Sequence, residues 1–173
     1  MKTIAKPKPN EYPDYASIYI DLVPADGLVL KHLSDNLKSN IKLLSSLSKE
    51  KLLFRYAQDK WTIKEVLLHI IDDERIYTYR ALRFARDDST ELPGFEQDNY
   101  ASSSNANKRS LASLINEYKA IRQATISFFE SLEDVDFAKS GVADGKCATV
   151  RALLYHITGH EMRHINIIKE RYL

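Results

Sequence analysis

The sequence contains few of the residues that cross-link or interrupt a chain: its 173 residues include one cysteine, five glycines and five prolines. The lone cysteine, Cys147, excludes an intrachain disulfide framework and fits a reducing compartment. No stretch reaches the roughly 18 consecutive apolar residues that a transmembrane helix requires. The N-terminal segment carries lysines, prolines and acidic residues where a secretory signal would need an apolar run. We therefore expect a cytoplasmic protein without a membrane span.

The chain also lacks an excess of charge of either sign. It has 25 Lys and Arg residues against 24 Asp and Glu residues, a formal net charge of +1, and both signs are mixed along its length. Such a chain has no long-range field to attract nucleic acid or an anionic membrane. Because 44% of the residues are hydrophobic, the length suits one domain with a sizeable core. We expect a single domain over residues 1–173 and a small molecule as its partner.

Apolar residues recur every three or four positions, which is the period of an amphipathic helix. One helix start is marked by Thr62 and Glu65, which form a capping box directly after Trp61. Another is marked by Thr149 as the N-cap. The pattern predicts long helices over about residues 24–47, 62–86, 108–132 and 149–173, with a short helical piece over 49–56. Four such helices predict an all-α four-helix bundle.

The connection between the second and third predicted helices is long. Residues 87–107 exceed what a tight antiparallel turn needs, so these helices are predicted to run parallel with a crossover between them. The aromatic and acidic residues of this segment favour an ordered loop near a functional site. The residues that we place at the mouth of that site are Phe95, Glu96, Asp98 and Tyr100. An N-terminal extension over about residues 1–22 is expected to pack on the bundle.

Histidines are the candidate metal ligands. His160 and His164 stand four residues apart beside the apolar stripe of the fourth helix, so their Cβ atoms are about 5–6 Å apart and both rings can meet one ion. A third ligand must come from elsewhere, and His69, beside the stripe of the second helix, is the best candidate. His156 could pair with His160 instead, although it is predicted to point more toward solvent. His32 is an alternative third ligand, although it lies among polar positions near the start of the first helix. Spacing alone leaves open a metal site or hydrogen-bonded structural histidines.

Charged residues on the apolar stripes need an explanation of their own. Glu74 and Glu161 occupy positions where a buried carboxylate is costly unless it is paired, and Arg122 on the third helix is the predicted partner. Two roles are open for these glutamates: a buried ion network that fixes the helix register, or a part in the functional site. Asp73, four residues after His69, is predicted to accept a hydrogen bond from the ring nitrogen of His69 that does not bind the metal. Glu161 and Asp73 are the candidate catalytic residues.

Residues 160–164, His-Glu-Met-Arg-His, also match the H-E-x-x-H pattern, in which two histidines bind zinc and the glutamate activates water. This match predicts a metallopeptidase as a less favoured alternative. Against it, nine residues follow His164. Ile167 and Glu170 also stand where the extended form of the motif has a glycine and a third histidine.

Four segments together resemble the DinB-like (DinB/YfiT) metal-binding bundles: EYPDYASIYIDLVP, KWTIKEVLLHIIDDERIYTYRALRFAR, LPGFEQDNY and GHEMRHINIIKERYL. The likeness extends over nearly the whole chain. It implies a four-helix bundle, a homodimer, and a nickel or zinc site whose three histidines correspond to His69, His160 and His164. Some relatives carry a further histidine beside the last ligand, where this chain has Arg163. That departure leaves the ligand pattern intact.

The resemblance also implies a class of reaction. Characterised members include thiol transferases that use bacillithiol or mycothiol, and a mycothiol-dependent isomerase. A metal held by three histidines leaves open positions at which a thiol or water can ionise. The leading hypothesis is therefore a metal-dependent thiol transferase or hydrolase that acts on a small molecule, with a low-molecular-weight thiol as the expected second substrate. The alternative is a non-catalytic bundle that binds a metal or a ligand.

Overall fold

The computed structural model describes residues 1–173, and four long helices dominate it. In chain order the α-helices are α1 (Ser17–Ile20), α2 (Val29–Ser45), α3 (Lys49–Leu52), α4 (Ile63–Ala85), α5 (Gln97–Ser103), α6 (Leu111–Ser131) and α7 (Val150–Ile167). The predicted all-α bundle is confirmed, with α2, α4, α6 and α7 as its helices. The first of these starts later than predicted, because Gly27 has a φ of 74° and the side chain of Asp26 accepts from the amide of Leu28. None of the helices is long and apolar enough to cross a membrane.

A short antiparallel hairpin, which the sequence analysis missed, lies between α6 and α7. It consists of β1 (Ser140–Ala143) and β2 (Lys146–Thr149), and Cys147 is an exposed residue of β2. The two-residue turn is Asp144-Gly145, with φ values of 54° and 68°. Such an Asp-Gly pair is a strong hairpin signal, because both central residues of the tight turn need positive φ. The strands are short, so their alternation was too brief to register as a pattern.

Contacts between α4 and α6 advance in the same direction along both helices. Near the start of α4, Glu65 accepts at 2.8 Å from the side chain of Asn107, four residues before α6 begins. Further along, the hydroxyl of Thr78 lies 3.3 Å from that of Thr125. This order is that of parallel neighbours. The segment between them contains α5 and a 3₁₀ turn, Ala106–Lys108, so it is an ordered connection, as predicted.

Helix α7 runs in the opposite direction to α4. His69 of α4 lies beside His160 of α7. Two turns further along α4, Tyr77 stacks on His156, which lies one turn earlier on α7. A π-helical turn, Ile168–Tyr172, completes α7. The antiparallel pairing therefore brings the two histidine-bearing stretches face to face.

The N-terminal segment packs on α7. The hydroxyl of Tyr155 donates to the carbonyl of Ile4 at 2.8 Å, and Ile4 is buried. Helix α1 lies against the middle of α7, where a Cβ on Gly159 would overlap the carbonyl oxygen of Tyr19. The absence of a side chain at residue 159 therefore sets how closely α1 approaches.

Buried apolar side chains form two clusters, one toward each end of the long helices. One includes Phe84 of α4 and Leu154 of α7, and the other includes Leu67 of α4 and Ile165 of α7. The positions between the clusters carry buried polar side chains, namely Asn40, Asp73, Glu74, Arg122, His160 and Glu161. The bundle thus contains a polar layer between two apolar halves.

An ion network in the polar layer joins the four long helices. Arg122 of α6 donates to both carboxylate oxygens of Glu74, at 2.9 Å each, and to Glu161 at 2.5 Å. It also donates to the carbonyl of Leu33 on α2 at 2.6 Å, and the hydroxyl of Tyr118 donates to Glu161. Burial and the neighbouring charge of Glu74 raise the pKa of Glu161 well above its usual range. The network fixes the register of the helices around one fully buried arginine.

Replacing this arginine tests the structural role of the network. Arg122→Leu is expected to lower the free energy of unfolding by about 3–5 kcal/mol, because the carboxylate of Glu74 stays buried without its cation. Glu161→Gln is expected to cost only about 1 kcal/mol, since the raised pKa already favours a neutral side chain. Urea unfolding followed by circular dichroism measures both. The control Lys119→Leu, an exposed change one turn earlier on α6, should shift the value by about 0.5 kcal/mol or less. A similarly small effect of Arg122→Leu would contradict this role.

The close approach of α1 to α7 predicts an unusual effect of an alanine. Glycine to alanine inside a helix normally stabilises by about 1 kcal/mol. Gly159→Ala is expected instead to lower the free energy of unfolding by about 1–3 kcal/mol, because the new methyl group must displace the backbone of Tyr19. Asn166→Ala, at an exposed position of the same helix, provides the matched control. A thermal melt in which Gly159→Ala is more stable than the parent chain would show that this contact is looser than described.

Candidate metal centre

Three histidines from two helices converge at the edge of the polar layer. Nε2 of His69 on α4 lies 3.0 Å from Nε2 of His160 on α7. One ligand atom from each of these residues and from His164 lies within 4.8 Å of the others. We call these three residues the histidine cluster. The three residues that the sequence proposes as ligands are therefore neighbours in the folded chain.

The spacing of the histidine cluster fits a common metal ion. Nitrogen ligands with bonds of about 2.0–2.1 Å lie roughly 2.8–3.4 Å apart when the bond angles are between right angles and tetrahedral. The 3.0 Å separation of His69 and His160 falls in this range. His164, the most exposed of the three, has its ligand atom within 4.8 Å of the other two.

Local structure explains why these side chains are held in place. The capping box of Thr62 and Glu65 fixes the start of α4, so His69 occupies the second turn at a defined rotation. The ring of Trp61, just before that cap, lies 4.7 Å from the ring of His69. On the other side, the ring of Tyr19 lies 5.3 Å from that of His160, with its edge toward it. Aromatic rings from two other segments thus enclose the histidine cluster.

Asp73 faces the back of the cluster at His160 and not at His69. Its Oδ2 lies 3.3 Å from Nδ1 of His160 and 3.7 Å from Nε2 of His156. The prediction that Asp73 contacts His69 is therefore wrong, and its partner is His160. The antiparallel pairing of α4 and α7 places the turn of α4 that carries Asp73 beside α7. Although burial opposes the shift, the two imidazoles hold the pKa of Asp73 below its usual range.

The electrostatics of the cluster favour neutral imidazoles. Burial lowers the pKa of His164 to about 4. Burial also lowers the pKa of His160 well below its usual range, and that of His69 to a lesser degree, although Asp73 opposes both shifts. At neutral pH the rings are therefore uncharged, which is the form that binds a metal ion.

The other two histidines lie outside the cluster. His156 is buried rather than pointed at solvent, because α1 covers this part of α7 and the ring of Tyr77 stacks on it at 3.8 Å, with planes 2° apart. Helical periodicity could not show that α1 covers this face. His32 lies on α2, with its Nε2 3.0 Å from Asp26, and takes no part in the site.

The carboxylates on the apolar stripes belong to the core. Glu161 is adjacent to His160 in sequence but points about 100° away around the helix, into the network of Arg122. It is fully buried there, so it can neither activate water at the cluster nor serve as the catalytic residue. The same placement removes the H-E-x-x-H metallopeptidase alternative. Glu74 likewise contacts Arg122 and not the histidines.

A cavity of about 330 Å³ opens beside His164. Of the four residues predicted at the mouth, Asp98 lines this cavity, whereas Glu96 is exposed. Phe95 and Tyr100 instead line another cavity beside Arg80, because residues 98 and 100 lie on opposite sides of α5, about 200° apart. The aromatic residues of the mouth that the sequence analysis missed are Tyr56, Trp61 and Tyr172. Arg163 is exposed next to the cluster.

Comparison with known proteins identifies the family. The model of the DinB superfamily matches residues 32–168, which include all three members of the histidine cluster. None of the curated proteins compared with the chain gives a match.

The fold is shared with YfiT from Bacillus subtilis, a protein described as a probable metal-dependent hydrolase with an unusual four-helix bundle topology. The TM-score is 0.70 at 16% sequence identity, and the match covers 96% of this chain and 91% of the YfiT chain. At this identity the likeness establishes the fold alone. Since the family model extends over most of the sequence, the chain belongs to the DinB superfamily.

Proposed function

We propose that the protein is a metal-dependent hydrolase of a small molecule, with one divalent metal ion held by His69, His160 and His164. The convergence of three imidazoles beside a cavity of about 330 Å³ carries this proposal. Three protein ligands are typical of catalytic sites, whereas structural sites usually have four. The description of YfiT as a probable metal-dependent hydrolase supports the same class of reaction.

The chain's own residues prepare the site for this chemistry. When bound, a divalent metal supplies Lewis acidity, which polarises a carbonyl group and lowers the pKa of water. Asp73 beside Nδ1 of His160 favours the tautomer with its proton on that nitrogen. Nε2 of His160 is then free to act as a ligand and faces His69. The rings of Trp61 and Tyr19 restrict water around the cluster.

The walls of the cavity indicate the size and character of the substrate. Tyr56, Trp61 and Tyr172 provide aromatic surface, and Lys60 and Asp98 provide charges of both signs. A cavity of this size suits a small molecule with an apolar body and a few polar groups. Imidazole suits nickel and zinc alike, so the identity of the metal stays a prediction, as do a thiol as second substrate and a homodimer.

Metal content tests the assignment directly. The purified protein is expected to carry about one divalent metal ion per chain, and His164→Ala is expected to lose most of it because only two ligands stay in place. Elemental analysis after dialysis measures both. His32→Ala, the same substitution at a histidine outside the cluster, is the matched control and should retain the metal. Full metal content in His164→Ala would contradict the assigned ligands.

Turnover separates a hydrolase from a non-catalytic bundle. We expect hydrolysis of at least one member of a panel of small esters and amides, lost with a chelator and restored by added metal. His164→Ala should lower that rate by at least about 100-fold, whereas His32→Ala should not change it. A metal-loaded protein that turns over no member of the panel, but melts at a much lower temperature without metal, would favour the non-catalytic bundle.

The lowered pKa values predict how metal binding depends on pH. Metal affinity is expected to stay nearly constant from pH 8 to about 6 and to decrease below about 5, because the pKa of His164 is about 4. Imidazoles with an ordinary pKa would instead lose affinity from about pH 6.5 downward, by roughly tenfold per pH unit for each histidine. Calorimetric titration with zinc at a series of pH values distinguishes the two. A midpoint near 6.5 would show that burial does not protect the cluster.

A further inference from the structure

A second cavity lies on another part of the bundle, between α4, the β1–β2 hairpin and residues 93–95. Its volume is about 270 Å³, slightly below the usual range of ligand pockets, which begins at about 300 Å³. Arg80 of α4 lines it. Because Arg80 follows His69 by eleven positions on the same helix, the two residues are about 16 Å apart along the axis. This cavity is therefore separate from the histidine cluster.

Arg80 is a buried cation without an ionic partner. It is 7% exposed, its one hydrogen bond goes to the carbonyl of Pro93 at 3.1 Å, and no carboxylate lies at ion-pair distance. Its guanidinium lies over the rings of Tyr77 and Phe95, at 5.1 and 6.0 Å from their centres. None of its nitrogens is a fully buried atom without a partner, so the N–H groups that make no hydrogen bond are open to the cavity that Arg80 lines. By contrast, the fully buried Arg122 has two carboxylate partners.

The other groups in the cavity leave a net positive charge. Lys146 pairs with Asp144 at 3.0 Å, so the lysine and the aspartate offset each other and the charge of Arg80 is left over. The hydroxyls of Tyr15 and Tyr77 lie 3.3 Å apart on the wall. Each hydroxyl has one O–H, and one of the two donates to the other, so one O–H is left to donate to a ligand. One cation and one free hydroxyl donor next to aromatic surface are suited to a monoanion with an apolar body.

The walls of the cavity are fixed by backbone contacts. The amide of Leu92 donates to the carbonyl of Val142 at 3.0 Å, and the amide of Asp144 donates to the carbonyl of Leu92 at 2.9 Å. A Cβ on Gly94 would lie 2.6 Å from Oδ1 of Asp144. Residues 92–94 therefore pack tightly along the hairpin. The cavity is formed before any ligand arrives, which reduces the entropy lost on binding.

We propose that this cavity is a binding site for a small monocarboxylate with a flat apolar body, distinct from the histidine cluster. The carboxylate accepts from the free N–H groups of Arg80 and from the one tyrosine hydroxyl of the pair that is free to donate. The flat body lies against the ring of Phe95. A guanidinium matches carboxylate and phosphate geometry alike. The carboxylate is favoured because its single charge equals the charge left over in the cavity and its flat body suits the aromatic wall.

Benzoate is the probe, and the neutral benzamide of the same shape and inorganic phosphate are the comparisons. Calorimetric titration of the metal-loaded protein should show saturable binding of benzoate at one site, at least tenfold tighter than benzamide and tighter than phosphate. Benzoate could also bind a metal ion, so the titration is repeated with His164→Ala, in which the affinity should be unchanged. Binding that disappears in His164→Ala would place benzoate at the histidine cluster and overturn the proposal. Stronger binding of phosphate would overturn the assigned ligand class.

Substitution of the arginine locates the site. Arg80→Gln should weaken benzoate binding at least tenfold. Arg83→Gln should leave it unchanged, because Arg83 lies one turn further along α4 and already pairs with Asp88. Without ligand, Arg80→Gln should melt at about the same temperature as the parent chain, since it removes one hydrogen bond, to the carbonyl of Pro93, and no ion pair. A large loss of stability would instead give Arg80 a structural role and count against the proposal.

A variant at the rim keeps the proposal testable if Arg80→Gln does not fold. Lys146→Gln changes the net charge of the cavity from positive to neutral at an exposed position. It should weaken benzoate binding by at least threefold and leave benzamide unaffected. Equal effects on both probes would show that charge does not determine binding there.

Discussion

The position of every functional side chain in this bundle depends on the buried contact of Arg122 with Glu74 and Glu161. The arginine is on α6, and the two glutamates are on α4 and α7. A shift of either glutamate helix by one residue would rotate it by about 100° and leave a charge buried without its partner. Apolar packing alone tolerates such shifts better than a bidentate ion pair does. The network therefore selects one register, and in that register His69 faces His160.

On both α4 and α7, one stretch of the helix contributes side chains to the buried ion network and to the histidine cluster. Asp73 and Glu74 are neighbours on α4, and so are His160 and Glu161 on α7. In each pair one side chain faces the histidine cluster and the next faces Arg122, because adjacent helical residues point about 100° apart. This explains the H-E-x-x-H string without a peptidase. Its histidines belong to the site, and its glutamate supports the fold that holds them.

Helical periodicity was sufficient to predict the bundle and to single out His69, His160 and His164, since the spacing of residues along a helix fixes which side chains share a face. It also predicted Arg122 as the partner of both glutamates. It could not show that α1 buries His156, or that Asp73 contacts His160, because both depend on how separate segments pack. The hairpin was missed for another reason: its strands are four residues each, so only the Asp144-Gly145 turn identifies it.

Buried polar groups in this protein divide according to whether they have partners. Lys64 and Glu65 on α4 are buried, yet each is hydrogen-bonded to the segment before α6, and Glu74 is paired with Arg122. On the same helix, Oδ2 of Asp73 has no hydrogen-bond partner, and Arg80 has no carboxylate. A folded chain satisfies nearly all of its buried polar groups, because each unsatisfied one lowers stability. The satisfied groups thus account for the architecture of α4. Asp73 lies beside the histidine cluster, next to Nδ1 of His160, and Arg80 lines the second cavity, so both groups face a proposed binding site.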